Sequence, residues 1–458
     1  EYTEGRSQFL DFVSAYGTGK NDKKIEELIL KVYEYSRSYP DAQEWLRECV
    51  KGYELENMDE LEESPYVDLL KMYVELYLED ARARLYQGIE ICREESGPYM
   101  YEDALEDDLR MVERVLEAET YLGLSEYMGD ISWMKLPPNR DKTVSSDKAD
   151  QVKLIRDEVK ELMKDLNQQY FYAEPETILK DIKGCQPMVR ELTSLVEKFA
   201  ERFEEKKRTK NMIDFSDMEQ YAMKILTEKT EGGFCPTAAA EEYQEQFLEI
   251  MIDEYQDSNL IQETILTSVS RYSRGEYNIF MVGDVKQSIY RFRLSRPELF
   301  MEKYDTYSTE DSDTQRIDLH KNFRSRAEVL ESVNYIFRQI MTRPLGGIAY
   351  DEDAALYVGA DYPEGTDHET EVYLIDAVKS SWEDRKREAR VAAWRIHQLM
   401  ENFQVTDKAT GELRPVKYSD IVILTRSVRG FADVFTEVLN EEGIPAVSYT
   451  HLTLPTIA

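Results

Sequence analysis

The sequence predicts an α/β protein with a large all-helical part, because the pattern of apolar residues changes along the chain. Up to about residue 205, apolar residues recur at helical spacing over long stretches. From about residue 211, short apolar runs bounded by Gly, Asp or Asn alternate with helical patterns. That alternation is typical of parallel strands joined by crossover helices. We therefore expect a helical region followed by two α/β regions.

The helical region is predicted to consist of long amphipathic helices. The first has one apolar face at positions i, i+3, i+4, i+7 and i+8, formed by Ile25, Leu28, Ile29, Val32 and Tyr33. Pro40 is expected to end this helix. Further helices are predicted over about 65–95, 102–127, 148–172 and 176–205. A loop is predicted from Leu136 to about Asp147.

The α/β regions are predicted from short apolar runs. The predicted strands are 248–252, 279–282, 371–375 and 421–424. Residues 343–370, which are rich in Gly, Asp and Pro, are predicted to connect the two regions irregularly. Upstream of the first strand, Ser216 and Glu219 have the spacing of a capping box, which predicts the start of a helix.

The net charge of −35 argues against a protein that coats DNA through bulk electrostatics. A local basic groove remains compatible with it, because residues 284–326 carry nine Lys or Arg against eight Asp or Glu. The alternative for this window is ordinary local variation in charge.

Cysteine spacing and hydropathy bear on the cellular setting. The four cysteines lie far apart and show neither CxxC nor metal-ligand spacing; they are Cys49, Cys92, Cys185 and Cys235. Reduced thiols and a cytoplasmic location are therefore expected. No apolar run is long enough to span a bilayer.

An acidic pair follows the first predicted strand. Asp253 and Glu254 would lie at its carboxyl end, which is where open α/β sheets bind ligands. A nucleotide site needs one carboxylate for Mg²⁺, which Asp253 fits, and one to deprotonate the attacking water, which Glu254 fits. The alternative is a solvated acidic turn, and the Gln256-Asp257 pair that follows makes the nucleotide site the more specific interpretation.

The next predicted strand is followed by Gly283 and Asp284 and then by a polar and aromatic run. Gln287 is predicted to contact a γ-phosphate or its attacking water. Tyr290 and Phe292 are predicted to stack on bases of single-stranded DNA, with Arg293 on the phosphate backbone. The alternative is that both rings are core aromatics.

A third segment, Asn322–Ser325, contains Arg324, whose guanidinium is predicted to stabilise charge on the transferred phosphoryl group. Phe323 is predicted to stack on adenine. By contrast, Gly17–Asn21 is not a phosphate loop, since Ser14 and Asn21 occupy its Gly and Ser/Thr positions. A turn between two helices is predicted there.

The three segments, in this order, resemble the second, third and fourth motifs of UvrD/RecB-type (superfamily 1) DNA helicases. Within that superfamily the chain is most similar to AddA-type components of bacterial AddAB (RexAB) helicase–nuclease complexes. The segments that carry this finer resemblance are Lys286–Leu294, Pro297–Phe300, Lys321–Arg326, Tyr362–Gly365 and Arg156–Lys160.

The resemblance implies two RecA-like P-loop NTPase motor domains, each a parallel sheet with flanking helices, and a helical insertion. Residues 1–205 would be the 1B-like insertion, 206–325 the C-terminal half of the first motor domain (1A), and 326–446 the start of the second (2A). It also implies ATP and Mg²⁺ as cofactors, DNA as single-stranded track and duplex ends, and an AddB-like partner in a heterodimer.

The function implied is that of a 3′→5′ DNA helicase and exonuclease subunit, which processes double-strand breaks for homologous recombination. One alternative is a UvrD-like stand-alone repair helicase without a nuclease. The other is a non-catalytic scaffold subunit with an inactive motor, against which the presence of Asp253, Glu254, Gln287 and Arg324 weighs.

The chain is expected to be a fragment that is truncated at both ends. It does not start with Met, and the Walker A motif of this family would lie upstream of residue 1. The run from 447 to 456 reverse-translates to a sequence that resembles a sequencing-library adapter. Residues 447–458 are therefore interpreted as an adapter artefact, with a native tail as the alternative. As written, the polypeptide is therefore expected to be inactive as an ATPase and to lack the nuclease domain.

Overall fold

The computed structural model describes residues 7–17, 21–343, 348–363, 369–375, 381–407, 409–425 and 427–447. The chain divides into two compact units, Glu1–Arg316 and Ile317–Ala458. Within the described residues the structure is mostly helical and carries four small sheets of two strands each. No helix in those ranges is both long and apolar enough to cross a membrane.

The first unit contains helices α1–α13 and strands β1–β4 in its described part. The helices are Ser7–Tyr16, Lys23–Ser36, Ala42–Lys51, Met58–Glu62, Pro65–Arg93, Glu102–Leu116, Tyr121–Gly129, Ser146–Tyr170, Pro175–Thr209, Phe215–Leu226, Ala238–Gln246, Leu260–Val269 and Pro297–Thr306. The strands are Thr227–Thr230, Gly233–Pro236, Ile250–Ile252 and Ile279–Met281.

The main core of the first unit lies between α5, α6 and α8. Apolar residues on one face of α5 are fully buried there, among them Val74, Leu78 and Leu85. Gly88 lets α5 approach α6 closely, since a Cβ at this position would lie 2.6 Å from a methyl carbon of Leu105. The long helix α9 packs separately against α1, α2 and α3. The predicted helical region is thus confirmed.

Some predicted helix ends were wrong. The helix predicted over 102–127 is two helices, because Thr120 caps the start of α7 by accepting from the Gly123 N–H. The capping box of α10 is formed by Asp214 and Asp217 rather than by Ser216 and Glu219.

The predicted strands at 248–252 and 279–282 are confirmed as β3 and β4, which pair in parallel with Ile250 opposite Ile279. A small core beside them joins α10, α11 and α12 through Leu226, Ala240 and Val269. The crossover through α12 places the carboxyl ends of both strands at the same sheet edge.

The second unit contains α14–α16 (Ala327–Ile340, Ser381–Asn402 and Ala432–Glu441) and β5–β8 (Lys321–Asn322, Tyr357–Val358, Gln404–Thr406 and Leu413–Pro415) in its described part. The strands predicted at 371–375 and 421–424 were wrong, since both segments are irregular. Most of their apolar side chains stay exposed, with Leu374 at 95% and Leu424 at 81%, whereas Ile421 is half-buried against a small core of the second unit. A strand needs a lateral partner for its backbone groups, and neither segment finds one among the described residues.

The fold class is therefore confirmed only as helical structure combined with small, partly parallel sheets. The larger parallel sheets of the predicted motor domains are not formed by the described residues. The predicted turn at Gly17–Asn21 and the Tyr362–Gly365 and 447–458 segments lie partly outside those residues.

Candidate functional site

Two loops lie side by side at the carboxyl ends of β3 and β4. The Val282 N–H donates to the Ile252 carbonyl at 2.8 Å, and the Tyr255 N–H donates back to the Val282 carbonyl at 2.9 Å. These bonds extend the parallel pairing beyond the strands. As a result, the acidic pair after β3 and the Gly283-Asp284 pair after β4 occupy one site.

The acidic pair is exposed at this edge. The Glu254 N–H donates to Asp253 Oδ1 at 3.0 Å. Glu254 has φ 51° and ψ 41°, a left-handed conformation that costs a non-glycine residue free energy and is common at functional sites. Both carboxylates are thus open to a ligand from solvent.

These carboxylates fit a Mg²⁺ ion that is also held by nucleotide phosphates. Mg²⁺ in such sites takes one or two protein carboxylates and completes its shell with water and phosphate oxygens. In the described part of the chain, no cluster of three or more His, Cys, Asp or Glu could hold a metal by itself. Asp253 and Glu254 are two adjacent exposed carboxylates of the ligand type that Mg²⁺ takes.

Gln256 links the two loops through its side-chain amide. It is 1% exposed, and its Nε2 donates to Glu254 Oε2 at 2.7 Å. Its Oε1 accepts the Asp284 N–H at 3.0 Å. Gly283 makes room for it, because a Cβ at that position would lie 2.6 Å from Oε1. Sequence reasoning used Gln256 only to strengthen the motif and missed this contact.

Tyr255 holds the loop after β3 in place through its buried side chain. Its ring is fully buried and its hydroxyl donates to Glu263 Oε2 at 2.7 Å. Lys303 Nζ lies 2.8 Å from the other oxygen of that carboxylate and 5.3 Å from the Tyr255 ring centroid. Burial, followed by the bond to Glu263, raises the pKa of Tyr255 well above its usual value, so the phenol stays a neutral donor. Sequence reasoning missed this anchor.

The loop after β4 is folded around Asp284. Gln287 Nε2 donates to Asp284 Oδ2 at 3.0 Å, and Lys286 Nζ lies 2.9 Å from Oδ1. The side chain of Gln287 is otherwise exposed. Hydrogen bonds thus link Gln287 to Glu254 indirectly, through Asp284 and Gln256.

The aromatic pair forms a cluster with Arg293. The Tyr290 and Phe292 ring centroids are 5.9 Å apart. The Arg293 guanidinium carbon lies 5.1 Å from the first centroid and 5.6 Å from the second. Phe292 is 75% exposed, which excludes the alternative of a core aromatic for this ring.

Phe323 and Arg324 belong to the second unit. Asn322 Oδ1 accepts the backbone N–H groups of Arg324 at 2.8 Å and of Ser325 at 2.9 Å, which makes a tight turn. Phe323 is 63% exposed and Arg324 is also exposed. Phe323 and Arg324 are thus held by a turn of the second unit. The other predicted site residues lie in the first unit; they are Asp253, Glu254, Gln287, Tyr290, Phe292 and Arg293.

The chain is similar to known proteins over most of its length. Residues 87–308 match the model of the UvrD/REP helicase N-terminal domain. Three curated proteins, each named as the A subunit of an ATP-dependent helicase/nuclease, are similar to nearly the whole chain. Those of Lachnoclostridium phytofermentans, Geobacillus thermodenitrificans and Bacillus pumilus are 41%, 38% and 38% identical, over 98%, 96% and 97% of this chain. The chain spans only 36–37% of the length of these relatives.

Proposed function

We propose that this chain, a homologue of part of AddA-type ATP-dependent helicase/nucleases, supplies the water-activating and DNA-gripping loops of an ATP-driven DNA helicase. The observation that carries the proposal is the parallel pair β3–β4. It sets the exposed Asp253-Glu254 pair beside a loop whose next turn carries the exposed Phe292 and Arg293 and the half-buried Tyr290.

The nucleotide chemistry follows from the residue types. Asp253 would hold Mg²⁺ on the nucleotide phosphates, and Glu254 would take the proton of the attacking water. Gln287 would sense the γ-phosphate. Phe323 would stack on adenine, while Arg324 would stabilise the developing charge. ATP is thus the proposed cofactor together with Mg²⁺.

The DNA contact would use the cluster of Tyr290, Phe292 and Arg293. Base stacking tolerates any sequence, and a translocating motor needs such tolerance. The name of these relatives, which joins helicase to nuclease, supports the finer proposal. The parent protein would be a 3′→5′ helicase and exonuclease that processes double-strand breaks for homologous recombination in the bacterial cytoplasm, with an AddB-like partner.

The test uses the full-length protein from the native gene together with its partner. We expect ATP hydrolysis that single-stranded DNA stimulates, and unwinding of a duplex with a 3′ tail. Glu254→Gln should lower the stimulated kcat by about 10²- to 10⁴-fold, as expected for loss of a general base. Glu249→Gln, the same change at the exposed entry to β3, is the matched control and should leave kcat unchanged.

Two outcomes would contradict the proposal. A wild-type complex without DNA-stimulated hydrolysis would instead favour the scaffold interpretation. A Glu254→Gln variant with wild-type kcat would show that another residue activates the water.

A further inference from the structure

We infer that Gln256 is a positioning residue, which holds the carboxylate of Glu254 for water activation and couples it to the loop after β4. The inference rests on the proposed function, since Glu254 must be the base for its position to matter. Gln256 itself touches neither nucleotide nor DNA in this assignment.

The orientation of the Gln256 amide follows from its partners. The Asp284 N–H is a donor only, so the amide oxygen must face it, at 3.0 Å. The NH₂ group is then left to face Glu254 Oε2, at 2.7 Å. Because the amide is fully buried, both bonds are needed to satisfy it.

The bond leaves the other Glu254 oxygen available. Among the described residues, no donor contacts Oε1, and the Glu254 side chain is exposed. Oε2 is therefore held while Oε1 is presented to solvent. The left-handed backbone of Glu254 also sets the direction of its side chain, and Gln256 completes that placement.

The same bonds form a connection between the two loops. Asp284 offers its N–H to Gln256 and its carboxylate to Gln287. Tyr290 lies three residues beyond Gln287 in the same loop. A shift of this loop on binding DNA would therefore move Gln256, and with it Glu254. This route explains how a DNA contact can change the rate of hydrolysis.

The experiment compares Gln256→Ala, Gln256→Asn and Gln256→Glu in the full-length complex. Gln256→Ala should lower the DNA-stimulated kcat by about 10- to 100-fold, the loss typical of a hydrogen bond to a charged group. The KM for ATP should change by less than about threefold, because no nucleotide contact is lost. Gln256→Asn is one methylene too short to reach both partners. Its kcat should therefore lie between those of the wild type and of Gln256→Ala.

Gln256→Glu tests the bond itself with nearly unchanged shape. It keeps an acceptor for the Asp284 N–H but places a carboxylate against Glu254, so it should lose as much kcat as Gln256→Ala. Gln244→Ala is the matched control. Gln244 is equally buried at 1% exposed and donates to the Ser268 carbonyl at 2.7 Å, yet it touches neither loop. Its kcat should be that of wild type.

The outcomes separate the two proposals. If the wild-type complex shows no DNA-stimulated hydrolysis, the proposed function fails first. If the wild type is active and all Gln256 variants match it, only the positioning role is overturned. A rise in KM as large as the fall in kcat also overturns it. If Gln256→Ala does not fold, the isosteric Gln256→Glu decides.

Discussion

Arg296 contacts Tyr39 across 257 residues of sequence. The Arg296 guanidinium carbon lies 4.9 Å from the Tyr39 ring centroid. The Arg296 Nη2 donates a hydrogen bond to the Tyr39 hydroxyl. The Arg296 backbone N–H donates to the Ser258 carbonyl at 2.8 Å. The contact therefore ties the loops of the candidate site to the helical region.

We predict that Arg296→Ala will lower the free energy of unfolding by about 1–2 kcal/mol, because it removes both the cation–π contact and the hydrogen bond. Tyr39→Phe keeps the ring and removes only the hydroxyl, so it should lower the free energy of unfolding by about half as much. Denaturant unfolding of the two variants and of the double variant measures the coupling between them. Strictly additive losses would mean that the contact contributes no coupling.

Gly283→Ala is predicted to disturb the site, because the new Cβ would meet Gln256 Oε1 at 2.6 Å and the Phe300 ring at 2.9 Å. We expect a loss of about 1–3 kcal/mol in unfolding free energy and a lower kcat in the full-length complex. Gly184→Ala is the control. Its Cβ would meet nothing within 4 Å inside α9, so it should stabilise the chain by up to about 1 kcal/mol. Equal effects of the two changes would contradict this prediction.

Tyr290→Ala and Phe292→Ala are each predicted to weaken binding of single-stranded DNA by about 1–3 kcal/mol, since each removes one stacking ring. The loss should be similar for oligonucleotides of different sequence. Fluorescence anisotropy on the full-length complex measures it. Tyr86→Ala removes an exposed ring of α5 and should leave affinity unchanged. A loss confined to one base composition would argue against a sequence-tolerant track.

The sequence predicted those parts of the site that depend on residues close together in the chain. An apolar run that ends in Asp253-Glu254 specifies both a strand and the position of its acids. The positions of Gln256 and Tyr255 depend on Asp284 and Lys303, whose proximity arises only when β3, β4 and α13 pack together. No pattern among neighbouring residues in the sequence indicates contacts of this kind.

The errors in the fold have a similar origin. Asp214 and Ser216 are both of residue types that cap helix N-termini well, so the local sequence does not decide at which of them α10 begins. Lys207 Nζ lies 3.0 Å from the Asp214 carboxylate, and Arg37 binds Asp217 at 3.0 Å, which favours the earlier helix start. The 371–375 segment has strand composition, but composition cannot supply the neighbouring strand on which pairing depends.

Arg156 and Asp108 form a buried ion pair between α8 and α6. The side chains are 2% and 0% exposed, and Arg156 also donates to the Met134 carbonyl at 2.6 Å. Burial raises the pKa of the Asp108 carboxyl, although Arg156 acts against that rise. We predict that Arg156→Leu will cost about 3–5 kcal/mol, because it leaves a buried carboxylate unpaired.

The double variant Arg156→Leu with Asp108→Leu should recover most of that stability, since no buried charge remains. Arg110→Leu breaks an exposed pair with Asp107 on the same helix as Asp108 and should cost less than about 1 kcal/mol. Denaturant unfolding measures all three. A double variant as unstable as Arg156→Leu would show that the pair contributes packing rather than charge compensation.

The second unit is predicted to become less stable in acid, because the Asp420 carboxylate loses its negative charge there. Arg414 binds this carboxylate with two nitrogens, at 2.6 and 2.9 Å, and the Lys417 N–H donates to it at 2.8 Å. The hydrogen bonds from Arg414 are the main cause that lowers the pKa of Asp420 from 3.8 to about 2. A lowered pKa means that the folded state favours the ionised carboxylate. Its contribution is therefore complete above the unfolded pKa and disappears as the pH falls through the folded one.

Asp420→Asn lacks this contribution at every pH. We expect the wild type to be more stable than the variant by a constant amount above about pH 5, and the difference to shrink between about pH 4 and pH 2. Unfolding midpoints of the two proteins across this range measure it, and other carboxylates cancel in the difference. Glu412→Gln removes a charge at an exposed position next to the same hairpin and should show no such change. A difference that widens with acid would contradict the sign, since it would mean that the folded state prefers the protonated carboxyl.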